Sequence, residues 1–139
     1  AMTPWHELNK LGIKAVICLT EDRPGYLPNP LQLAGYFPLE DLYGNRNPRD
    51  ATGNRSLIGQ AVQCTLAWLR QGNGVVIHCE GGTGRTGMVI GCVLKCLGYN
   101  SDEVISYLDE INRSRGARNG WPESAWQSET IKQFVEPGH

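Results

Sequence analysis

One segment constrains the fold more than any other, because it passes from an apolar run through a glycine-rich turn directly into a helical pattern. The apolar run spans residues 74–79 and is centred on two valines and an isoleucine. β-branched residues favour strands, and a short continuous run of them is typical of a strand buried on both faces. The turn that follows has glycine at three of the five positions between Cys79 and Arg85. A strand that leads this directly into a helix is typical of α/β proteins.

The rest of the chain alternates between strand and helix patterns in the same way. Apolar residues that recur every three or four positions predict helices, and short apolar runs bounded by loops predict strands. Pro4 and Gly12 mark the ends of the first helix, and Ser101 is the expected cap of the fourth. We predict an α/β fold with a mostly parallel central sheet flanked by helices. The predicted strands are 13–19, 35–39 and 74–79, the predicted helices are 4–11, 57–70, 85–97, 102–111 and 129–135, and the longer loops are 21–32, 44–55 and 115–124.

Length and charge narrow the class of protein. The 139 residues fit a single domain over residues 1–139. A formal net charge of −1 argues against a general nucleic-acid or membrane-surface binder. No apolar run is long enough to span a bilayer, and no secretory signal pattern is visible. The five cysteines are an odd number without a pairing or zinc-binding pattern, so we expect a cytoplasmic protein without a bound metal.

The segment after the third strand carries the chemistry. A tight loop at a helix N-terminus turns its backbone N–H groups inward, and the helix dipole adds positive charge, so a tetrahedral oxyanion can bind there. Arg85 would add a planar fork that matches two phosphate oxygens. The same field favours the thiolate form of Cys79, and Thr86 can hydrogen-bond the sulfur. The predicted phosphate-binding residues are Glu80, Gly81, Gly82, Thr83, Gly84 and Arg85.

A simpler interpretation of the same segment is a strand–turn–helix junction that buries a free cysteine, since cysteine is among the most buried residue types. That interpretation leaves an arginine and a hydroxyl residue at the start of the helix unexplained.

The segment from His78 to Gly87, with its cysteine, five residues and arginine, resembles the signature of the protein tyrosine phosphatase superfamily, which is cysteine-dependent. Its short glycine-rich loop is similar to that of the small dual-specificity branch. Residues 11–21, 37–41 and 129–133 also resemble segments of that family. The resemblance implies a dual-specificity-phosphatase-like fold and metal-independent phosphomonoester hydrolysis without a cofactor. It further implies a cysteinyl-phosphate intermediate and a phosphorylated protein as substrate.

The resemblance also assigns roles to single residues. Cys79 is the expected nucleophile, Arg85 and Thr86 are expected to assist it, and Asp41 is expected to be the general acid. From spacing alone, Glu40 and Asp50 compete with Asp41 for that role. The expected supporting residues are His78 and Gln133.

Two departures from the family pattern affect what we expect. Members of this branch usually carry an N-terminal strand pair, which we expect this sequence to lack, so one edge of the sheet is expected to be open or paired with another chain. In addition, Glu129 stands where some relatives have a glutamine that positions water.

Other functions use a similar loop. A binding module could capture a phosphorylated partner without turnover, and sulfur-transfer or arsenate-reducing enzymes also use a loop thiolate. Within phosphatase chemistry, an RNA 5′-phosphate or a phosphoinositide remains an alternative substrate, because fold and loop do not fix the leaving group.

Overall fold

A computed structural model describes residues 5–79, 84–116 and 120–136 of the chain. Three parallel strands form one sheet in the order β2-β1-β3, and helices flank it. The predicted α/β class with a parallel sheet is confirmed. The elements are α1 Trp5–Lys10, β1 Ile13–Cys18, β2 Gln32–Tyr36, α2 Ala51–Arg70, β3 Gly74–His78, α3 Gly84–Cys96, α4 Ser101–Ser114 and α5 Ala125–Gln133.

The central strand β1 is the most deeply buried part of the sheet. Residues 15–19 have no solvent exposure, as expected for a strand with neighbours on both edges and helices on both faces. β3 pairs with β1 along one edge and is half-buried throughout. In the described part of the chain no strand precedes β1, so the sheet has a reduced strand set and β3 lies at its edge.

The helix α3 is the centre of the hydrophobic core. Its residues Met88, Val89 and Cys92 are almost completely buried and pack against α2 and the sheet. Gly91 allows Ile131 of α5 to approach, since a Cβ at position 91 would lie 3.1 Å from Ile131 Cγ1 and overlap its Cδ1. The helix that follows the glycine-rich turn is therefore held on several sides.

The second strand begins and ends three residues earlier than the sequence predicts. It spans Gln32–Tyr36 rather than residues 35–39, because its register with β1 starts at the pair Ala15 and Gln32. Beyond the strand, Leu39 is still completely buried and its N–H donates to the carbonyl of Leu19 at 3.1 Å. The apolar residues after Tyr36 therefore pack into the core without continuing the strand.

The second helix begins at Ala51, inside the segment predicted as loop. Asp50 caps it, because its Oδ1 accepts the N–H of Gly53 at 2.9 Å. The Glu40 carboxylate accepts the N–H groups of Arg49 and Asp50 at 2.9 and 3.0 Å. These contacts satisfy N–H groups that the start of a helix leaves open, so a polar, glycine-containing segment becomes helical.

Two helix ends also differ from the prediction. The cap of α4 is Asn100 and not Ser101, since Asn100 Oδ1 accepts the N–H of Glu103 at 2.8 Å. The last helix spans Ala125–Gln133 rather than residues 129–135. Gln127 Oε1 accepts the N–H groups of Glu123 and Ser124 at its start, at 2.8 and 3.3 Å. A glutamine at this position completes the first turn.

Candidate active site

The expected nucleophile and its hydroxyl partner lie together at the carboxyl end of the sheet. Cys79 follows β3 directly and is half-buried. The hydroxyl of Thr86, in the first turn of α3, donates to the sulfur of Cys79 at 3.1 Å. The predicted phosphate-binding residues Glu80, Gly81, Gly82 and Thr83 lie outside the described residues.

Arg85 connects the start of α3 to the segment after β2. Its side chain is buried, with only 6% of the residue exposed, and Nη1 donates to the carbonyl of Leu39 at 3.3 Å. Leu39 lies two positions before Asp41 in the sequence. The guanidinium therefore lies inside the protein at the helix N-terminus, where its charge adds to the helix dipole.

Asp41 is an exposed carboxylate beside these groups. Its Oδ1 accepts the N–H of Tyr43 at 3.1 Å, and its own N–H donates to Glu21 Oε1 at 3.3 Å. The two competing candidates have other functions, because Glu40 binds the N–H groups before α2 and Asp50 caps that helix. Asp50 is exposed like Asp41, but its carboxylate is engaged at the start of α2, whereas the Asp41 carboxylate accepts the N–H of Tyr43 two positions along.

His78 and Tyr26 are joined beside the nucleophile. The Tyr26 hydroxyl and His78 Nε2 share a short hydrogen bond, and Tyr26 also stacks on Trp5, with 5.5 Å between ring centroids. Burial lowers the pKa of His78. Burial, followed by the neighbouring Cys18 thiol, raises the pKa of Tyr26 to about 12. Both rings are therefore neutral near pH 7, and the pair holds the end of β3.

A cleft of about 540 Å³ opens over this end of the sheet. Its size falls within the range of ligand pockets, which is roughly 300–1,000 Å³. Cys79 and His78 line one side, and the segment after β1 forms the other with Asp22, Arg23 and Tyr26. Within the described ranges no three His, Cys, Asp or Glu side chains are grouped as metal ligands would be.

A cysteine directly after a strand, a buried arginine at a helix N-terminus and a hydroxyl that donates to the cysteine sulfur agree with the family comparison. A family model described as the Swiss Army Knife protein DSP-PTPase phosphatase domain (PTP-SAK) matches residues 2–131. The chain belongs to this family. It therefore has a cysteine-dependent phosphatase domain of the dual-specificity and tyrosine phosphatase type, as the sequence motifs indicated.

Solved structures share the fold of this PTP-SAK domain. Tk-PTP in its active form is 24% identical with a TM-score of 0.62, and the match covers 96% of this chain and 89% of that one. The catalytic core of the PP-IP phosphatase SIW14 from S. cerevisiae is 20% identical with a TM-score of 0.64, over 94% and 72% of the two chains. The kinase-associated phosphatase KAP, with its catalytic cysteine replaced by serine, gives the same values. No curated protein matches the chain.

Glu123 is a residue of this PTP-SAK domain that the sequence analysis missed. It lies in the loop before α5, and its Oε1 accepts the N–H of Gly84 at 3.0 Å. Burial and the nearby charge of Asp41 raise the pKa of Glu123, and the Gly84 hydrogen bond and Arg85 oppose that shift. The sequence gives little indication that Glu123 belongs to the site. Its contact with Gly84 joins positions far apart in the chain, and the segment around Glu123 has the composition of a loop.

The C-terminal residues singled out from the sequence lie elsewhere. Glu129 is exposed on α5 and pairs with Lys132 at 3.4 Å. Gln133 is exposed in the last turn of α5, and no described hydrogen bond links it to the site. Trp121, in contrast, is buried, and its Nε1 donates to the carbonyl of Gly84 at 3.2 Å. The loop before α5 therefore contacts the start of α3, and the buried Gln127 of α5 also lies beside Gly84.

Proposed function

We propose that this PTP-SAK domain is a metal-independent phosphomonoesterase that acts on phosphorylated proteins in the cytoplasm through a cysteinyl-phosphate on Cys79. One observation carries the proposal, namely the Thr86 hydroxyl that donates to the Cys79 sulfur at the N-terminus of α3. A hydroxyl in that position stabilises negative charge on sulfur, and the helix N-terminus supplies positive potential to both sulfur and phosphate. The five free cysteines fit a reducing compartment. No described helix could cross a membrane.

The chemistry has two steps. The Cys79 thiolate attacks phosphorus, the P–O bond to the substrate breaks, and a carboxylic acid protonates the leaving oxygen. Asp41 is the candidate acid from the sequence. In the second step water attacks the cysteinyl-phosphate, and the carboxylate left by the acid in the first step takes a proton from this water. The P–S bond breaks, which returns the thiolate and releases phosphate. Arg85 and the start of α3 stabilise the charge on the transferring group.

The cleft favours a phosphotyrosine side chain as substrate. Tyr26 provides an aromatic wall beside Cys79, and aromatic rings pack well against other rings. The described lining holds one cation, Arg23, next to one anion, Asp22. A polyphosphate would need an excess of cations, and the loop over residues 80–83 contains no lysine or arginine. SIW14 acts on inositol pyrophosphates, but this charge balance argues against that class of substrate here.

The test measures phosphate release from p-nitrophenyl phosphate and from a phosphotyrosine peptide, in EDTA. We expect wild-type turnover and no detectable turnover with Cys79→Ser. Cys96→Ser is the matched control, because Cys96 is also half-buried but lies in the last turn of α3. Equal turnover in the wild type and Cys79→Ser contradicts the proposal, as does tight phosphopeptide binding without release.

An inositol pyrophosphate assayed at the same concentrations tests the substrate class. A kcat/KM for that compound above the value for the phosphotyrosine peptide would contradict the protein substrate while leaving the cysteine mechanism intact.

A further inference from the structure

The contact between Glu123 and Gly84 places a second carboxylate at the site. Gly84 is the first residue of α3, directly before Arg85. Its N–H is one of the groups that a helix leaves without an internal partner. In the described structure this N–H is taken by Glu123 Oε1 at 3.0 Å. A carboxylate oxygen therefore lies where the helix N-terminus offers its positive end.

The backbone of Glu123 is fixed from two sides. Its N–H donates to Gln127 Oε1 at 2.8 Å, and its carbonyl accepts the N–H of Asn45 at 3.0 Å. The neighbouring Trp121 is tied to the carbonyl of Gly84 at 3.2 Å. These contacts fix the backbone of Glu123, and the Gly84 N–H holds its carboxylate, so the side chain has the defined position that general acid–base catalysis requires.

Gln127 supplies a second, independent sign of a polar site beside Gly84. It is completely buried, and its Nε2 has no hydrogen-bond partner in the part of the chain that the structure describes. A Cβ at position 84 would lie 2.6 Å from that nitrogen and would also overlap the Glu123 carboxylate. A buried N–H donor without an acceptor lowers the stability of the folded protein, so such donors usually have a hydrogen-bond partner. Gly84 is therefore packed closely against an acceptor, the Glu123 carboxylate, and against a buried donor, Gln127 Nε2.

The charges around Glu123 come from two elements. Asp41, after β2, repels a negative charge on Glu123, and Arg85, on α3, attracts it. The side chain facing it from α5 is the neutral Gln127. Asp41 is exposed, whereas Glu123 is half-buried. A half-buried carboxyl group with a negative charge nearby holds its proton more tightly than an ordinary carboxyl group.

We propose that Glu123 is a second catalytic carboxylate of the site and delivers a proton to the leaving oxygen. This rests on the phosphatase function proposed above. In the first step the proton moves from Glu123 to the leaving oxygen as the P–O bond breaks. In the second step the Glu123 carboxylate takes a proton from the attacking water as the P–S bond breaks, so protons balance over the cycle.

The test compares two aryl phosphates whose leaving groups differ in basicity. Phenyl phosphate has the poorer leaving group and depends on an acid, whereas p-nitrophenyl phosphate hardly needs one. Glu123→Gln keeps an oxygen for the Gly84 N–H but cannot give a proton. We expect it to lower kcat about 100-fold or more for phenyl phosphate and less than about tenfold for p-nitrophenyl phosphate. Glu129→Gln on the exposed face of α5 is the matched control and should change neither rate.

The pH dependence separates Glu123 from Asp41. An acid works while protonated, so wild-type activity on phenyl phosphate should fall as pH rises through the titration of Glu123. Glu123→Gln should lose this decline. Asp41→Asn removes the negative neighbour that raises the pKa of Glu123, so the decline should remain but move to lower pH.

Two results would overturn the inference. One is an equal loss for both substrates in Glu123→Gln, which is the effect of a purely structural residue. The other is an Asp41→Asn variant that loses the alkaline decline altogether, a measurement that stays available even if Glu123→Gln fails to fold. Turnover by Cys79→Ser would instead contradict the underlying function.

Discussion

A single added methyl group at Gly87 tests how the start of α3 is packed. Gly87 is buried in the first turns of α3, where an alanine Cβ would lie 2.5 Å from Trp121 Nε1 and 2.9 Å from its Cδ1. The indole cannot yield by a small rotation, because it is buried and its Nε1 donates to the carbonyl of Gly84. Gly87→Ala should therefore displace Trp121.

Three contributions set the expected change in the free energy of unfolding of Gly87→Ala. Overpacking a core position costs about 1–3 kcal/mol, and loss of the Trp121 hydrogen bond costs about 1 kcal/mol. Alanine gains about 1 kcal/mol over glycine in a helix interior. The net expectation is a loss of about 1–3 kcal/mol in the free energy of unfolding.

Gly59 provides the matched control for this substitution. It lies within α2, and an added Cβ there would meet nothing within 4 Å. Gly59→Ala should therefore raise the free energy of unfolding by about 0.5–1 kcal/mol. Urea unfolding followed by circular dichroism measures both variants against the wild type. A Gly87→Ala protein as stable as Gly59→Ala would refute the packing that we describe around Trp121.

Three further substitutions test the helix start at α4 and the contacts before α2. Asn100→Ala should lower the free energy of unfolding by about 1 kcal/mol, whereas Ser101→Ala should change it little; the reverse order in urea unfolding would favour the cap expected from the sequence. The N–H groups of Asp50 and Arg49 lower the pKa of Glu40, so its stabilising effect is present at neutral pH and lost as pH falls below the ordinary carboxyl pKa. Glu40→Gln should therefore destabilise the protein more at pH 7 than at pH 3, and equal losses at the two pH values would contradict this.

The sequence predicted those parts of the fold that depend on local patterns. The strand at 74–79 and the helix from 85 combine β-branched residues, glycines and regular apolar spacing, and the structure has them as Gly74–His78 and Gly84–Cys96. The start of α2 was not predictable in this way. It depends on Glu40, whose carboxylate binds N–H groups nine and ten positions further along the chain.

In the candidate site, too, the sequence predicted the residues that belong to a local motif and missed one that depends on a distant contact. Cys79, Arg85 and Thr86 belong to one short motif, so their proximity follows from the local turn. Glu123 contacts Gly84 across 39 positions of sequence, and no periodicity reports such a contact. Glu129, which stands where some relatives have a glutamine, is exposed on α5, as carboxylates on amphipathic helices usually are.

Trp5 stacks on Tyr26, and Tyr26 is hydrogen-bonded to His78, so the first helix is linked to the residue that precedes Cys79. A shortened chain that begins after Lys10 would keep every residue of the catalytic motif and still remove one end of that stack. Tyr26 would then lose its aromatic support on the side away from His78, and the wall of the cleft would change shape. The choice of starting residue for an expressed fragment therefore also affects the cleft beside Cys79.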